Sequence, residues 1–283
     1  MKPTHYMFSF VLATLSFIAA RSIQLGGVQD YFDQVANRYL EQEGYIDFEN
    51  QGNATFMPIG IQPPSALVFI DSLNSAFLSQ DSTQLFEFDT DMQKFSLIQN
   101  WSEDTKIQQI AYLDSSFILL DQNEILHFVN DFSDSNSDDL VALPNDDNLK
   151  HLICYHPNLK RLAVLNSSLL ENGKRRFECQ LVNAKKRKLS QIPLFSIESE
   201  ELLFEPISVA IHPLSNTFYL LSNQGEVVIL NQDGTLQSRQ FLPKSITKPK
   251  VIAISPNGDL FATDANILHP VVIRLPWQKM IAN

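Results

Sequence analysis

The sequence predicts an all-β chain, a five-bladed β-propeller closed by a strand from its N-terminal side and preceded by a signal or anchor helix. Three observations predict it. Five copies of one strand pattern follow one another between Pro63 and Trp277. Short period-2 segments separated by turn residues recur inside each copy, four where the copy is complete, as in a propeller blade. The last copy lacks a fourth strand, while an unassigned strand-like segment stands upstream of the first.

From the N-terminal side, Lys2 is followed by fifteen residues without a charge, Tyr6 to Ala20. Such a run suits the apolar part of a secretory signal, with Ala20 before a cut. It is shorter than the roughly 20 residues a spanning helix needs. Ile18 is a poor residue at the −3 position, so residues 1–20 are read as a signal peptide or an uncleaved anchor, with membrane attachment through residues 6–20. Residues 21–44 form the next unit. Within it, VQDYFDQVANRYLEQE places Tyr31, Val35, Tyr39 and Leu40 on one helical face. A short helical linker is expected there, with the propeller filling residues 45–283.

The segment Thr55–Ile61 precedes the repeats and matches a single strand. The expected role is the outer strand of the fifth blade, since that pairing removes two sheet edges. Pro58 is tolerable on such an edge strand. The copies then begin at Pro63, Ile107, Leu149, Glu205 and Lys248. Aligned on the small residue of each first strand, they place Val68, Ala111, Cys154, Ala210 and Ala253 at intervals of 43, 43, 56 and 43 residues. The excess of the third copy lies in the polar stretches Ser167–Lys174 and Ser196–Glu205. In the fourth, strands are expected at Ser208–His212, Thr217–Ser222, Val227–Asn231 and Ser238–Leu242. Asn223-Gln224-Gly225 and Gln232-Asp233-Gly234 make its tight turns. No helical periodicity follows residue 43.

The segments IAYLDSSFILLDQNEILHF, AIHPLSNTFYLLSNQGEVVILNQDGTLQ and AISPNGDLFATD, with the closing VVIRLPW, resemble the SdiA-regulated family of bacterial propellers, itself similar to NHL-repeat proteins. The resemblance covers about residues 63–277. It implies a five-bladed propeller behind an export or anchor segment, placed in the periplasm or held at the inner membrane facing it. It also implies an axial calcium ion, with an acidic residue at the head of the first strands. The matching positions here are Pro64 or Ser65, Gln108, His151, Ile207 and Lys250, none of them a carboxylate. Calcium wants several hard oxygen ligands, usually with carboxylates among them, so the axial metal site is read as degenerate. Gln108, His151 and Lys250 are the channel-lining candidates for binding a ligand.

Other chemistry is sparse. Asp134-x-Asn136-x-Asp138 opens like a calcium loop, but Asp139 stands where glycine is needed and Asn145 where the bidentate glutamate belongs. These residues are read as a solvated hairpin tip that could hold calcium loosely. His156-Pro157, His212-Pro213 and Ser255-Pro256 occupy equivalent turns, so the histidines are read as turn residues. The basic clusters GKRRF and KKRK flank one strand, Arg176–Val182, and fall on opposite faces. Cys154 and Cys179 are expected on the first and third strands of one blade. Roughly 9–10 Å would separate their Cα atoms, too far for a bridge, so two buried thiols are expected. No phosphate loop, Gly-x-Ser-x-Gly elbow or His-Glu-x-x-His motif occurs. Asp114, Asp121 and Asp264 are the spare acids. The net charge of −11 disfavours nucleic acid. The sequence therefore points to an exported, non-enzymatic binding or scaffold propeller with a protein or small-molecule partner. The alternative is a calcium-dependent lactonase- or esterase-like hydrolase.

Overall fold

The computed structural model describes residues 44–49, 52–57, 64–71, 74–79, 84–89, 94–100, 106–129, 140–144, 149–183, 188–199, 204–265 and 270–279. The signal or anchor segment, the helical linker as far as residue 43, and loop residues Asp134, Asn136 and Asp138 lie outside these. The chain divides into two compact units, and the propeller belongs to residues 46–278. Among the described residues every regular element is a strand. In chain order, β1 is Gly44–Ile46 and β2 is Asn53–Phe56. Blade 1 consists of β3 (Pro64–Phe69), β4 (Asn74–Ser79), β5 (Gln84–Asp89) and β6 (Lys94–Asn100). Blade 2 consists of β7 (Ile107–Leu113), β8 (Ser116–Asp121), β9 (Ile125–Val129) and β10 (Leu140–Ala142). Blade 3 has β11 (Leu149–His156), β12 (Arg161–Leu169) and β13 (Arg175–Asn183), with β14 (Lys188–Leu189) and β15 (Phe195–Ser199) both pairing β13. Blade 4 is β16 (Pro206–Ile211), β17 (Phe218–Ser222), β18 (Glu226–Leu230) and β19 (Leu236–Phe241). Blade 5 begins with β20 (Pro249–Ile254), β21 (Leu260–Asp264) and β22 (Val271–Leu275). A last strand, β23 (Trp277–Lys279), pairs with β1.

The local chemistry explains the hairpins. Asp114 and Ser115 join β7 to β8 with φ of 50° and 65°, both left-handed, as a two-residue turn between twisted strands requires. In blade 4, Gly225 and Gly234 take φ of 82° and 85° at the two turns the sequence marks. The inner strands of this blade are buried on both faces: every residue of β17 is buried, and so is all of β18 except Glu226. A sheet buried on both sides must have a neighbour on each. The outer strand β19, by contrast, is mostly exposed.

The neighbours form a ring. The first strands contact one another in the order β3, β7, β11, β16, β20 and back to β3. An apolar core lies between each adjacent pair of blades. Ala66, Leu85 and Leu119 belong to the core between blades 1 and 2. Leu120, Phe128 and Leu162 belong to the next, and Phe177, Cys179 and Phe218 to the third. Leu221, Val227 and Ile273 fill the fourth. Met57, Phe77 and Phe261 fill the fifth, where blade 5 meets blade 1. Each fully buried side chain of this size contributes about 1.5–3 kcal/mol, so the five interfaces dominate cohesion.

Two polar side chains stitch blades directly. Gln109 Nε2 donates to the His151 carbonyl oxygen at 2.9 Å, and its Oε1 accepts the Ile153 amide at 2.8 Å. The side chain thus acts as a piece of strand backbone toward β11. Ser208, at the equivalent place two residues before the aligned small residue, accepts the Ile252 amide at 3.1 Å and donates to the Ile252 carbonyl oxygen at 3.3 Å. Gln109→Leu keeps the bulk and strands two backbone groups. A loss of about 1–3 kcal/mol is expected in urea unfolding, and no loss would show that the contact is idle.

The ring closes as the sequence predicts. Strand β2 pairs antiparallel with β22, setting Asn53 opposite Arg274 and Phe56 opposite Val271. Blade 5 therefore reads β2-β22-β21-β20. The pairing begins two residues earlier than expected, at Asn53, because Gly52 turns into it with φ 67°.

Candidate functional site

The equivalent turns after the first strands of blades 3, 4 and 5 show what their polar residues do. His156 Nδ1 accepts the Leu159 amide at 3.4 Å. His212 Nδ1 accepts the Leu214 and Ser215 amides at 3.3 and 3.2 Å. Ser255 Oγ accepts the Asp259 amide at 3.2 Å. All three are buried acceptors that hold a turn, which is why serine can stand in for histidine. Burial pushes His156 below the ordinary histidine value and His212 down to about 4. His212 also faces Trp277, with ring centroids 3.9 Å apart. Gly258, at φ 94°, makes room for them: a Cβ there would lie 2.9 Å from His212 Nε2.

The acids have structural work as well. Asp121 Oδ1 accepts the Asn123 and Ile125 amides at 2.8 and 2.9 Å, and its Oδ2 meets His127 Nε2 at 2.9 Å. Asp264 accepts the amides of Thr247 and Lys248 at 2.9 and 3.0 Å. Asp259 binds the Arg274 guanidinium at 2.6–2.8 Å and the Trp277 amide at 2.8 Å. Of the basic residues, Arg176 pairs with Glu198 on β15 and Arg175 donates to Ser167 Oγ. Cys154 and Cys179 are free and buried. Burial pushes Cys154 well above the usual thiol range and Cys179 up to about 12, so both are poor nucleophiles.

Gln108, His151 and Lys250 stand near the starts of β7, β11 and β20. Gln108 is exposed where the β7–β8 register shifts between Ile107 and Gln109. Lys250 is exposed within the corresponding shift of β20. Strand β11 has no such shift: His151 sits opposite Asn166 and is buried. Its Nδ1 lies 2.7 Å from Asn166 Oδ1, and its Nε2 donates to the Pro144 carbonyl oxygen at 2.8 Å. Both ring nitrogens are engaged. None of the three is among the residues that line the cavity at the far ends of these strands.

The cavity lies at the other ends of the same strands. It encloses about 350 Å³, and all five first strands line it. Val68, Ala111, Cys154, Ala210 and Ala253, the small residues that phase the repeat, are all in its wall. Ile110, Val209, Ile211, Ile252 and Ile254 add to an apolar lining. Among the described residues the lining contains one carboxylate, Asp114, and no lysine or arginine. Tyr112 and Tyr155, each half-buried, supply two phenols. Burial and then the charge of Asp114 push the Tyr155 phenol above its ordinary value, so it remains a neutral hydroxyl. Sequence reasoning counted Asp114 among the spare acids but did not single out the tyrosines. Their signal was the apolar-aromatic ending of the first strands, Ala-Tyr-Leu-Asp and Cys-Tyr-His-Pro.

One carboxylate is a poor fit for calcium, which takes six to eight oxygen ligands. Among the described residues no three His, Cys, Asp or Glu side chains are placed to hold one metal ion. The residues of this cavity do not fit the axial calcium that the family resemblance implies.

No family model matches the chain, and no curated protein sequence matches it. Solved structures similar to it include the calcium-binding protein regucalcin from Agrobacterium tumefaciens, at TM-score 0.46 and 11% identity over 84% of this chain and 96% of that one. The Swd1 β-propeller domain of Myceliophteria thermophila gives 0.45 and 10%, covering 81% of this chain and 100% of that one. A chain of the mitotic checkpoint complex gives 0.45 and 10%, covering 84% and 94%. The five-bladed fold stands on the strand pairing described above, and these likenesses add nothing about ligand or activity.

Proposed function

We propose that the protein is an exported, non-enzymatic binding propeller of the SdiA-regulated type that takes a small, largely apolar ligand into its axial cavity. The observation that carries this reading is the cavity itself: about 350 Å³, walled by mostly apolar side chains from all five blades, with a few polar groups at its edge. Concave, mostly apolar sites with few polar groups are the usual form of small-molecule pockets. A hydrolase would need a nucleophile or a metal-activated water. Asp121 and Asp264 already hold loops, and both thiols have raised pKa values, which weighs against the lactonase-like alternative. The export part of the proposal rests on the uncharged run Tyr6–Ala20.

The test is an equilibrium titration with the neutral apolar dye Nile red. Saturable binding to one site is expected for the native chain. Val68→Trp projects a large ring from the half-buried lining position on β3 and is expected to weaken binding at least tenfold, with circular dichroism unchanged. Absence of saturable binding, or equal binding by the variant, would overturn the cavity reading.

A further inference from the structure

We infer that the axial cavity selects a cationic amine carried on an apolar body, with the Asp114 carboxylate as its counter-ion and Tyr112 and Tyr155 framing the ammonium group. This rests on the cavity being the ligand site, as proposed above, and adds the chemistry of the ligand's head.

Three observations lead there. First, Asp114 is the one carboxylate in the lining among the described residues and stands exposed without a hydrogen bond or ion pair there, so it is open to a ligand, whereas the buried Asp121, Asp259 and Asp264 each hold two or more partners. Its left-handed φ of 50° sets it at the tip of the β7–β8 turn, projecting from the end of a channel-lining strand. Second, the tyrosines lie on adjacent first strands, β7 and β11, and both belong to the same lining. Their hydroxyls also have no hydrogen-bond partner among the described residues. Neither hydroxyl is a buried group without a partner, so both are within reach of water at the cavity's edge, where with the exposed carboxylate they leave acceptors open to a multivalent donor. An ammonium group is such a donor: it carries three N–H groups, is attracted to aromatic faces and pairs with a carboxylate. Third, the sign of charge is one-sided. Without a lysine or arginine in the lining, an anionic ligand would meet Asp114 uncompensated. The net charge of −11 repels anions and gathers cations at longer range.

The remaining wall fixes the other half of the ligand. The aliphatic residues of β16 and β20 offer no polar side chain except Ser255, whose Oγ is already holding the Asp259 amide. The ligand's body must therefore be hydrocarbon, aromatic or alkyl, because a buried polar group without a partner is costly.

The experiment compares three probes of similar size by isothermal titration calorimetry at pH 7: 2-phenylethylammonium, 2-phenylethanol and 3-phenylpropanoate. The ammonium is expected to bind about tenfold more tightly than the alcohol, as for one charge-assisted pair in a partly exposed place. The carboxylate should not bind measurably. Asp114→Asn is the matched variant, since asparagine tolerates the left-handed conformation and leaves the turn intact. It should bring the ammonium down to the level of the alcohol. Tyr155→Phe should weaken the ammonium a few-fold and the alcohol less. If alcohol and ammonium bind alike, and Asp114→Asn changes neither, the amine inference falls and the apolar cavity stands. If neither these probes nor Nile red binds, both readings fall together.

Discussion

Gly52→Ala is expected to destabilise the propeller by on the order of 3 kcal/mol, among the largest effects of any single methyl group in the chain. Gly52 begins the turn into β2 with φ 67°, a conformation that L side chains adopt with strain. An added Cβ would stand 2.6 Å from the Arg274 carbonyl oxygen and under 3 Å from the side chains of Ile273 and Leu275. The oxygen is backbone and cannot swing aside. Strand β2 must retreat from β22, and with it goes the pairing that joins the two ends of the ring. Gly173 supplies the control. Its φ is 78°, but a Cβ there would meet nothing within 4 Å. Gly173→Ala therefore measures backbone strain alone, about 1 kcal/mol. Urea unfolding of both variants separates strain from collision; equal losses would mean that β2 yields without cost.

The second large effect is a loss of stability in acid caused by His212. The folded value is about 4 against an ordinary 6.5, because the ring is buried. A backbone hydrogen bond with Gly258 and then the charge of Asp259 oppose the fall without reversing it. The unfolded chain therefore takes up a proton at a pH where the folded chain refuses it. The stabilising contribution is fully present above pH 6.5 and is lost as pH falls from there to about 4. Two and a half pH units at roughly 1.4 kcal/mol each give a loss on the order of 3 kcal/mol. His156, also depressed by burial, acts in the same direction. The check is the difference between native chain and His212→Ser across pH 7 to 4.5, which removes the carboxylates common to both. Serine is chosen because Ser255 already fills the equivalent turn. The variant should be weaker at pH 7 and show a shallower decline; parallel curves would overturn the assignment.

Much of this architecture was legible in the residues. Repeated apolar alternation at 43-residue spacing located the blades, since both faces of each sheet are buried and leave a strong periodic trace. The incomplete fifth copy identified the closing strand and its partner, but β2 runs over Asn53–Phe56, starting two residues before the expected Thr55–Ile61 and ending at Phe56, with residues 58–61 outside the described ones. His156 and His212 were recognisable as turn residues because serine replaces them in the fifth copy. The third blade was less transparent: β14 and β15 both pair with β13, and nothing in a polar connector says that a strand will resume on the same edge. The site was harder. Register shifts near the starts of β3, β7, β16 and β20 break the simple alternation there, while β11 lacks one. Alignment of Gln108, His151 and Lys250 by position thus did not place them in equivalent surroundings. Nor can period-2 patterning tell at which end of an axis a cavity lies. That depends on how five strands converge, and it brings Tyr112, Asp114 and Tyr155 together across blades.

The pairing of β2 with β22 has a bearing on the order of synthesis. Residues 53–56 leave the ribosome long before 271–274, their partners in the ladder. Throughout that interval the nascent chain carries an orphaned ribbon, Phe56 included, able to dock wrongly on any unfinished wedge. A chaperone that masks this one tetrapeptide until residues 271–274 have emerged would guard the whole assembly.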